Sequence, residues 1–425
     1  MSSADFVALA LQIAAMLAVA VCCGQAMRRV KQPAVLGEMM GGILLGPTLL
    51  GTVLPGVYAW LFSSSVHVSQ ARDAFIKVGM LFFLFIAGLE TDLSALRRMG
   101  GRAALIGLVG TVVPIAAGVG LVYALPGDFW GPVVQKHLLP FALFVGMNLA
   151  NSANPVIARI LMDLGLLRSE IGAMIMTATI VDDLVNWTLF AIILREVAPT
   201  SQAAAAGPPA GAAMVIVFFA VVLGLGRWFG ADLLRWVKAH VSWPAGLIGV
   251  SAFFILVMGS LAEKLGIHAF LGAFLAGVAV ASDDAEHNAA HEIVSHFALS
   301  FFAPLYFVSM GLSADFIANF DVRLVLVVVA AALASKVGAV LLGAWMARMP
   351  LNRDTMAIAM GLNARGATGI VLAGVGLSDG VIDQRIFVAM VVMCMVTSII
   401  AGPAMAALLP GRVRAAAARA GQGAA

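Results

Sequence analysis

Charge is what this sequence has least of. Of its 425 residues 11% are Asp, Glu, Lys or Arg and 62% are hydrophobic, with a mean hydropathy of +1.02. Soluble domains carry about 25% charged residues, so a water-exposed globular surface is excluded for most of the chain. Cysteine is equally sparse. Cys22, Cys23 and Cys394 all fall inside apolar runs, which suits buried thiols and argues against a disulfide framework or a metal cluster. No Lys or Arg precedes the first apolar run, so that run lacks the basic start of a secretory signal and is expected to be retained. No Gly-x-Gly-x-x-Gly follows a strand pattern, which removes the signature of a dinucleotide site. The net charge of +3 is dispersed, and neither a nucleic-acid partner nor a cofactor is expected.

What remains is a series of apolar blocks near twenty residues long, each enough to cross a hydrocarbon core of about 30 Å as a helix. The expected architecture is an all-α polytopic membrane protein of about thirteen transmembrane helices. Hydropathy, Gly, Pro and charge breaks place spans near 6–26, 34–54, 74–90, 103–125, 138–161 and 171–194. A small-residue linker at about 199–211 follows. The later spans lie near 212–230, 244–262, 267–282, 298–313, 322–346, 354–377 and 386–409. Residues 1–410 form the membrane domain, and 411–425, rich in Ala and Arg, a short disordered tail. With the N-terminus outside, fifteen Lys and Arg lie in inside segments against seven outside, which puts the C-terminus in the cytoplasm of a cell-membrane protein.

An internal repeat is visible in the spans. Leu36-Gly37-Glu38-Met39-Met40-Gly41-Gly42 in the second resembles Leu271-Gly272-Ala273-Phe274-Leu275-Ala276-Gly277 in the ninth. Gly88-Leu89-Glu90-Thr91-Asp92-Leu93 at the end of the third resembles Gly311-Leu312-Ser313-Ala314-Asp315-Phe316 at the end of the tenth. Both pairs are seven spans apart, so the copies run in opposite directions, giving two inverted six-helix repeats. Such repeats mark secondary transporters, whose substrates bind midway between the halves.

A charged residue at mid-membrane costs about 2.5–3.5 kcal/mol on insertion scales and needs a reason. Asp182 and Asp183 stand near the middle of the sixth span. Successive helical positions point about 100° apart, so one carboxylate can face a cation pathway while the other meets a separate partner. Asn186 lies within reach of either face. Lys336, near the middle of the eleventh span, is the candidate partner. Pairing favours both charged forms and burial disfavours them, and that opposition suits a group that exchanges protons.

The fifth span reads Asn148-Leu149-Ala150-Asn151-Ser152-Ala153-Asn154-Pro155-Val156 at its centre. Pro155 removes a backbone donor and breaks the helix where polar residues cluster. Irregular backbone at this depth is tolerated only inside protein or along a cavity. Freed carbonyls, with oxygens of Asn151, Ser152 and Asn154, can replace the water shell of an alkali cation. Seven spans on, Gly361-Leu362-Asn363-Ala364-Arg365-Gly366-Ala367-Thr368-Gly369 is again Gly-rich and interrupted, so Asn363 and Arg365 are expected to support the crossing of two broken helices.

Other charges read more plainly. Glu38, Glu90 and Asp92 lie near span ends and are architectural, and Arg365 serves a helix end or a carboxylate. His287, His291 and His296 share an inside loop, 282–296, that reads as a solvated connecting helix. An intramembrane aspartyl protease is excluded, because adjacent aspartates on one helix cannot face each other across a bond. The chain is therefore expected not to be an enzyme. A cation channel or sensory membrane receptor on the same fold is the alternative.

The ordered segments Gln32-Pro33-Ala34-Val35-Leu36-Gly37-Glu38, Ala87-Gly88-Leu89-Glu90-Thr91-Asp92-Leu93 and Asn154-Pro155-Val156-Ile157-Ala158-Arg159-Ile160-Leu161 carry a resemblance. With them go Asp182-Asp183, Gly272-Ala273-Phe274-Leu275-Ala276-Gly277, Pro304-Leu305-Tyr306-Phe307-Val308-Ser309-Met310-Gly311-Leu312 and Asn363-Ala364-Arg365-Gly366. Over nearly its whole length the sequence resembles the cation:proton antiporter-2 group of monovalent cation/proton antiporters. The resemblance implies a homodimer whose subunits combine a dimerisation part with a mobile core that moves by an elevator-like motion. It further implies secondary active exchange of Na⁺ or K⁺ for protons. Asp183 matches the carrier of cation and proton, Asp182 and Lys336 the salt-bridge pair, and an Asp-Asp pair accompanies electrogenic exchange. Asn154 and Gly369 depart from the group's usual residues, a small, hydroxyl or apolar residue and a Glu respectively.

Overall fold

The computed structural model describes residues 2–30, 32–62, 65–90, 101–135, 137–167, 169–197, 207–240, 245–280 and 292–413. Every regular element among them is helical. In chain order the principal helices are α1 (Ser3–Arg29), α2 (Ala34–Leu45), α3 (Val66–Leu89), α4 (Gly101–Ala124) and α5 (Leu138–Ala150). Next come α6 (Asn154–Asp163), α7 (Glu170–Val197), α8 (Gly207–His240), α9 (Ala245–Lys264) and α10 (Ala269–Val280). The last are α11 (Ala303–Leu312), α12 (Val322–Met346), α13 (Arg353–Gly361), α14 (Gly366–Ser378) and α15 (Gln384–Leu408). Among the described residues nine helices, some counted across a short break, are long and apolar enough to cross a membrane. Each expected span falls on a helix, with shifted ends. The third begins at Val66, because the helix runs through Arg72 and Asp73 instead of starting after them. The second stops at Leu45, where Gly46 is extended (ψ −173°) and Pro47 lacks an N–H to continue the ladder. The 411–425 tail from residue 414 on, the linker over 198–206, Asp92 and the loop over 281–291 with His287 and His291 lie outside the described residues.

Several ends are set by their caps. Ser2 and Asp5 form a reciprocal capping box on α1, with Asp5 N donating to Ser2 Oγ at 3.2 Å and Ser2 N to Asp5 Oδ2 at 2.9 Å. Asp321, Asn352 and Asp383 cap α12, α13 and α15 by accepting from backbone N–H groups of the first turns.

Within the expected 1–410 domain the chain forms two compact units, one of Met1–Asp92 with Thr200–Asn319 and another of Leu93–Pro199 with Phe320–Ala425. In the first, α2 packs on α1 and α11, and α3 packs on α10. These approaches are close enough to exclude side chains. A Cβ on Gly42 would stand 2.1 Å from Val308 O and 2.8 Å from Gly311 Cα. One on Gly277 would stand 2.1 Å from Phe85 O and 3.0 Å from Gly88 C. Gly42 corresponds to Gly277 and Gly88 to Gly311 in the repeat, so the matched segments meet in equivalent pairs. Phenylalanines fill the space beside them, with Phe82 and Phe302 stacked at 5.1 Å. In the second unit α4 packs on α5, α7 and α12, while α15 packs on α12, α13 and α14. Large apolar residues also face outward from both units, among them Phe6, Phe253, Leu326 and Trp345, as a lipid-facing surface requires.

Candidate functional site

The second unit contains two interrupted helices. Between α5 and α6 residues 151–153 are not helical, and between α13 and α14 the chain leaves the α-helix over 362–365. Pro155 lies in the first turn of α6, where its missing N–H is no loss, so the interruption comes before the proline and not at it. The two gaps are tied to each other. Ala153 N donates to Ala364 O at 2.7 Å, Ser152 Oγ to Leu362 O at 2.7 Å, and Asn151 Nδ2 to Thr368 Oγ1 at 3.2 Å. Gly366 N donates to Ser398 Oγ at 2.9 Å. Ser152 and Asn151 thus spend hydrogen bonds on joining the crossed segments, a use the sequence reading did not include.

An interrupted helix leaves unpaired carbonyls at its C-terminal end, which carries partial negative charge. Two buried cations serve the end of α5. Lys336 Nζ donates to Ala150 O at 2.5 Å, and Arg365 donates from one terminal nitrogen to Leu149 O at 2.5 Å and Ala332 O at 3.0 Å. The other terminal nitrogen of Arg365 reaches Asn363 O and Oδ1, each at 3.0 Å, and Asn363 Nδ2 donates to Ala359 O at 2.9 Å. Arg365 is fully buried and serves helix ends. Glu38, one of the carboxylates read as architectural, is buried within α2 of the first unit.

The aspartates of α7 separate as the 100° step requires. Lys336 Nζ lies 3.2 Å from Asp182 Oδ2. Asp182 Oδ1 accepts from Thr111 Oγ1 at 2.7 Å and from Asn186 Nδ2 at 3.2 Å. Asp183 instead accepts on Oδ2 from Asn154 Nδ2 at 2.6 Å, and Thr179 Oγ1 donates to Asn154 Oδ1. Asp183 therefore meets the start of α6, where partial positive charge favours an anion. Both aspartates, Lys336 and Asn154 are buried. Thr111 and Thr179 were absent from the sequence reading. Thr179 was detectable, since it stands four residues before Asp183 on the same helix face. Thr111 was not, since nothing local links the fourth span to the sixth.

Gly369 leaves room beside this crossing, because a Cβ there would stand 2.6 Å from Cys394 Sγ and 3.3 Å from Asn151 Nδ2. No group of three or more metal-ligating His, Cys, Asp or Glu occurs among the described residues.

The fold resembles that of the sodium proton antiporter MjNhaP1 from Methanocaldococcus jannaschii, with a TM-score of 0.70 over 96% of this chain and 98% of that one at 14% identity. Cation/H⁺ antiporter 18 of Arabidopsis thaliana is 31% identical over 395 residues, which is 91% of this chain and 47% of that protein. The chain thus spans about half the length of its Arabidopsis relatives. The Na⁺/H⁺ antiporter NhaS4 of Synechocystis is 29% identical over 388 residues, with 90% of this chain and 92% of that protein covered. Residues 15–410 match the sodium/hydrogen exchanger, transmembrane, family, and the chain belongs to that family.

Proposed function

We propose that the chain is a secondary active antiporter that exchanges a monovalent cation, Na⁺ or K⁺, for protons at Asp183. The observation that carries this reading is the buried carboxylate pair of α7. One member is neutralised by Lys336, and the other is held by Asn154 at the crossing of two interrupted helices. Membership of the sodium/hydrogen exchanger family supports it, as do relatives of similar length, the Na⁺/H⁺ antiporter NhaS4 of Synechocystis and the Na⁺/H⁺-K⁺ antiporter GerN of Bacillus cereus.

The mechanism is competition. One carboxylate cannot hold a proton and a cation at full strength together, so Asp183 is either protonated or cation-loaded when the site changes sides. The amide of Asn154 orients Asp183 Oδ2, and Thr179 orients the amide. Asn151 and Ser152 lie in the interrupted segment, where freed backbone oxygens complete the coordination. Pro155, Asn363 and Arg365 maintain the crossing. Electrogenic exchange requires a second titrating group, and the Asp182–Lys336 pair is the neighbour able to supply one. All these side chains belong to the second unit, which would be the core that moves in an elevator-type cycle. A homodimer in the cell membrane, N-terminus outside and C-terminus cytoplasmic, completes the proposal.

The test is reconstitution in proteoliposomes, following internal pH on addition of Na⁺, K⁺ or Li⁺ with and without a clamped voltage. The wild type moves protons against the cation and responds to voltage, and Asp183→Asn abolishes the exchange. Full activity in that variant would sink the assignment. A conductance indifferent to the pH gradient would instead fit a channel.

A further inference from the structure

Helices α6, α9, α12 and α14 end on the same hydrogen-bonded turn, and one of them does so without glycine. After α6, α9 and α14 the residue in the left-handed region is Gly165 (φ 67°), Gly266 (φ 70°) and Gly380 (φ 74°). In each case the next N–H reaches back five residues, Leu166 N to Leu161 O at 2.7 Å, Ile267 N to Ala262 O at 2.9 Å and Val381 N to Gly376 O at 2.8 Å. After α12 the pattern recurs, with Met349 N donating to Ala344 O at 2.9 Å and Arg348 N to Trp345 O at 3.0 Å. Here the left-handed position is held by Arg348 (φ 56°), the one non-glycine residue with positive φ among the described residues. A side chain at such a φ crowds its own backbone, and glycine would be the stabilising choice. A residue that breaks a local rule points to a use for its side chain.

Arg353 breaks a second rule on the same turn. It opens α13, where partial positive charge disfavours a cation. The adjacent carboxylate does not compensate it, because Asp354 Oδ2 is paired with Arg412 at 2.5 Å. Arg348 and Arg353 are both exposed, and neither side chain makes a hydrogen bond or ion pair with a described residue. The turn that carries them is firm, since Thr355 Oγ1 donates to Pro350 O at 2.6 Å and Thr355 N to Asn352 Oδ1 at 3.1 Å. The 25 residues of α12 make about 37 Å of helix, longer than a hydrocarbon core of about 30 Å. Its end therefore stands at headgroup level, and Trp345, Met346 and Leu351 expose apolar surface beside the two arginines. Exposed tryptophan next to arginine is the composition of a membrane interface. A guanidinium fork matches the oxygens of a phosphodiester.

We propose that the turn joining α12 to α13 is a docking site for an anionic phospholipid, its headgroup on Arg348 and Arg353 and its acyl chains along Trp345, Met346 and Leu351. A soluble anion or an acidic protein would answer the charges but leave the apolar residues facing water. In the orientation proposed above the lipid belongs to the cytoplasmic leaflet. α12 also carries Lys336, so the bound headgroup fixes one end of the helix that neutralises Asp182. The inference needs a membrane-spanning chain and does not depend on the antiport reading.

The test uses the full chain in detergent with added lipid and follows its melting temperature. Phosphatidylglycerol raises it at concentrations where phosphatidylcholine does not, because a ligand that binds the folded state stabilises it. Arg348→Gly and Arg353→Gln each weaken the phosphatidylglycerol midpoint about fivefold and together about twenty-five-fold, the worth of one and two arginines at an anionic headgroup. Arg348→Gly has a second effect of opposite sign. In phosphatidylcholine alone it melts above wild type, because the left-handed position is relieved. An arginine that served only the fold would lose stability in both lipids, so a lower melting temperature of Arg348→Gly in phosphatidylcholine overturns the proposal. An unchanged phosphatidylglycerol titration in the double variant overturns it too. So does an equal shift with inorganic phosphate in place of the lipid, which would mark a site for a soluble anion.

Discussion

In the first unit the buried contacts are glycine against backbone and phenylalanine against phenylalanine, as at Gly42–Val308 and Phe82–Phe302. In the second, the interior holds Asp182, Asp183, Lys336 and Arg365 among Asn148, Asn151, Asn154, Asn186 and Asn363. The first unit joins helices at these contacts by shape, which needs no polar partner there. The second joins interrupted helices by charge and hydrogen bonds, which work only if each buried group has its partner. Shape-based packing makes a rigid element. A polar interior makes one whose hydrogen bonds can be exchanged for an ion or a proton.

That contrast can be broken experimentally. The largest effect is expected at Lys336. Lys336→Gln leaves Asp182 charged and buried without its cation, and removing one partner of such a pair costs about 3–5 kcal/mol. Pairing it with Asp182→Asn should restore most of that loss, so the double-mutant cycle gives a strong coupling. Additive losses in thermal unfolding would show that the pair is not what holds the second unit together. An intermediate effect is expected in the first unit. Gly42→Ala forces a Cβ to 2.1 Å from Val308 O, and the helices must part, at about 1–3 kcal/mol. The cation dependence of exchange should stay unchanged, and a shift in ion affinity would blur the division between the units.

The smallest effect concerns a surface carboxylate of the second unit. The backbone N–H of Leu324, then the Arg385 guanidinium and the N–H of Arg323, hold Asp321 below its ordinary 3.8. A depressed carboxylate stabilises the fold above its unfolded value and loses that contribution as pH falls through the folded one. The melting-temperature gap between wild type and Asp321→Asn should therefore be small at neutral pH and close below about pH 3.8. A gap that persists in acid would mean the cap acts through packing alone.

Much of the site was legible because polarity is conspicuous in an apolar chain. Asp182, Asp183, Lys336 and the polar run around Asn154-Pro155 each stand out against neighbours that could lie in lipid. Equally important groups were invisible. Leu149 O and Ala150 O, which take Arg365 and Lys336, are backbone atoms of ordinary apolar residues. Their availability depends on where α5 stops, and the interruption lies before Pro155, so the proline marked the region without marking the gap.

By itself the sequence determined that the chain is built of membrane helices, that two of them are interrupted, and that four ionisable groups lie at their depth. Hydrophobicity and backbone sterics act within a few residues and can be read along a line. Tertiary structure decided that Lys336 meets Asp182 while Asp183 turns to Asn154. Helical periodicity gives the angle between neighbouring side chains, but only packing gives the neighbour each of them meets.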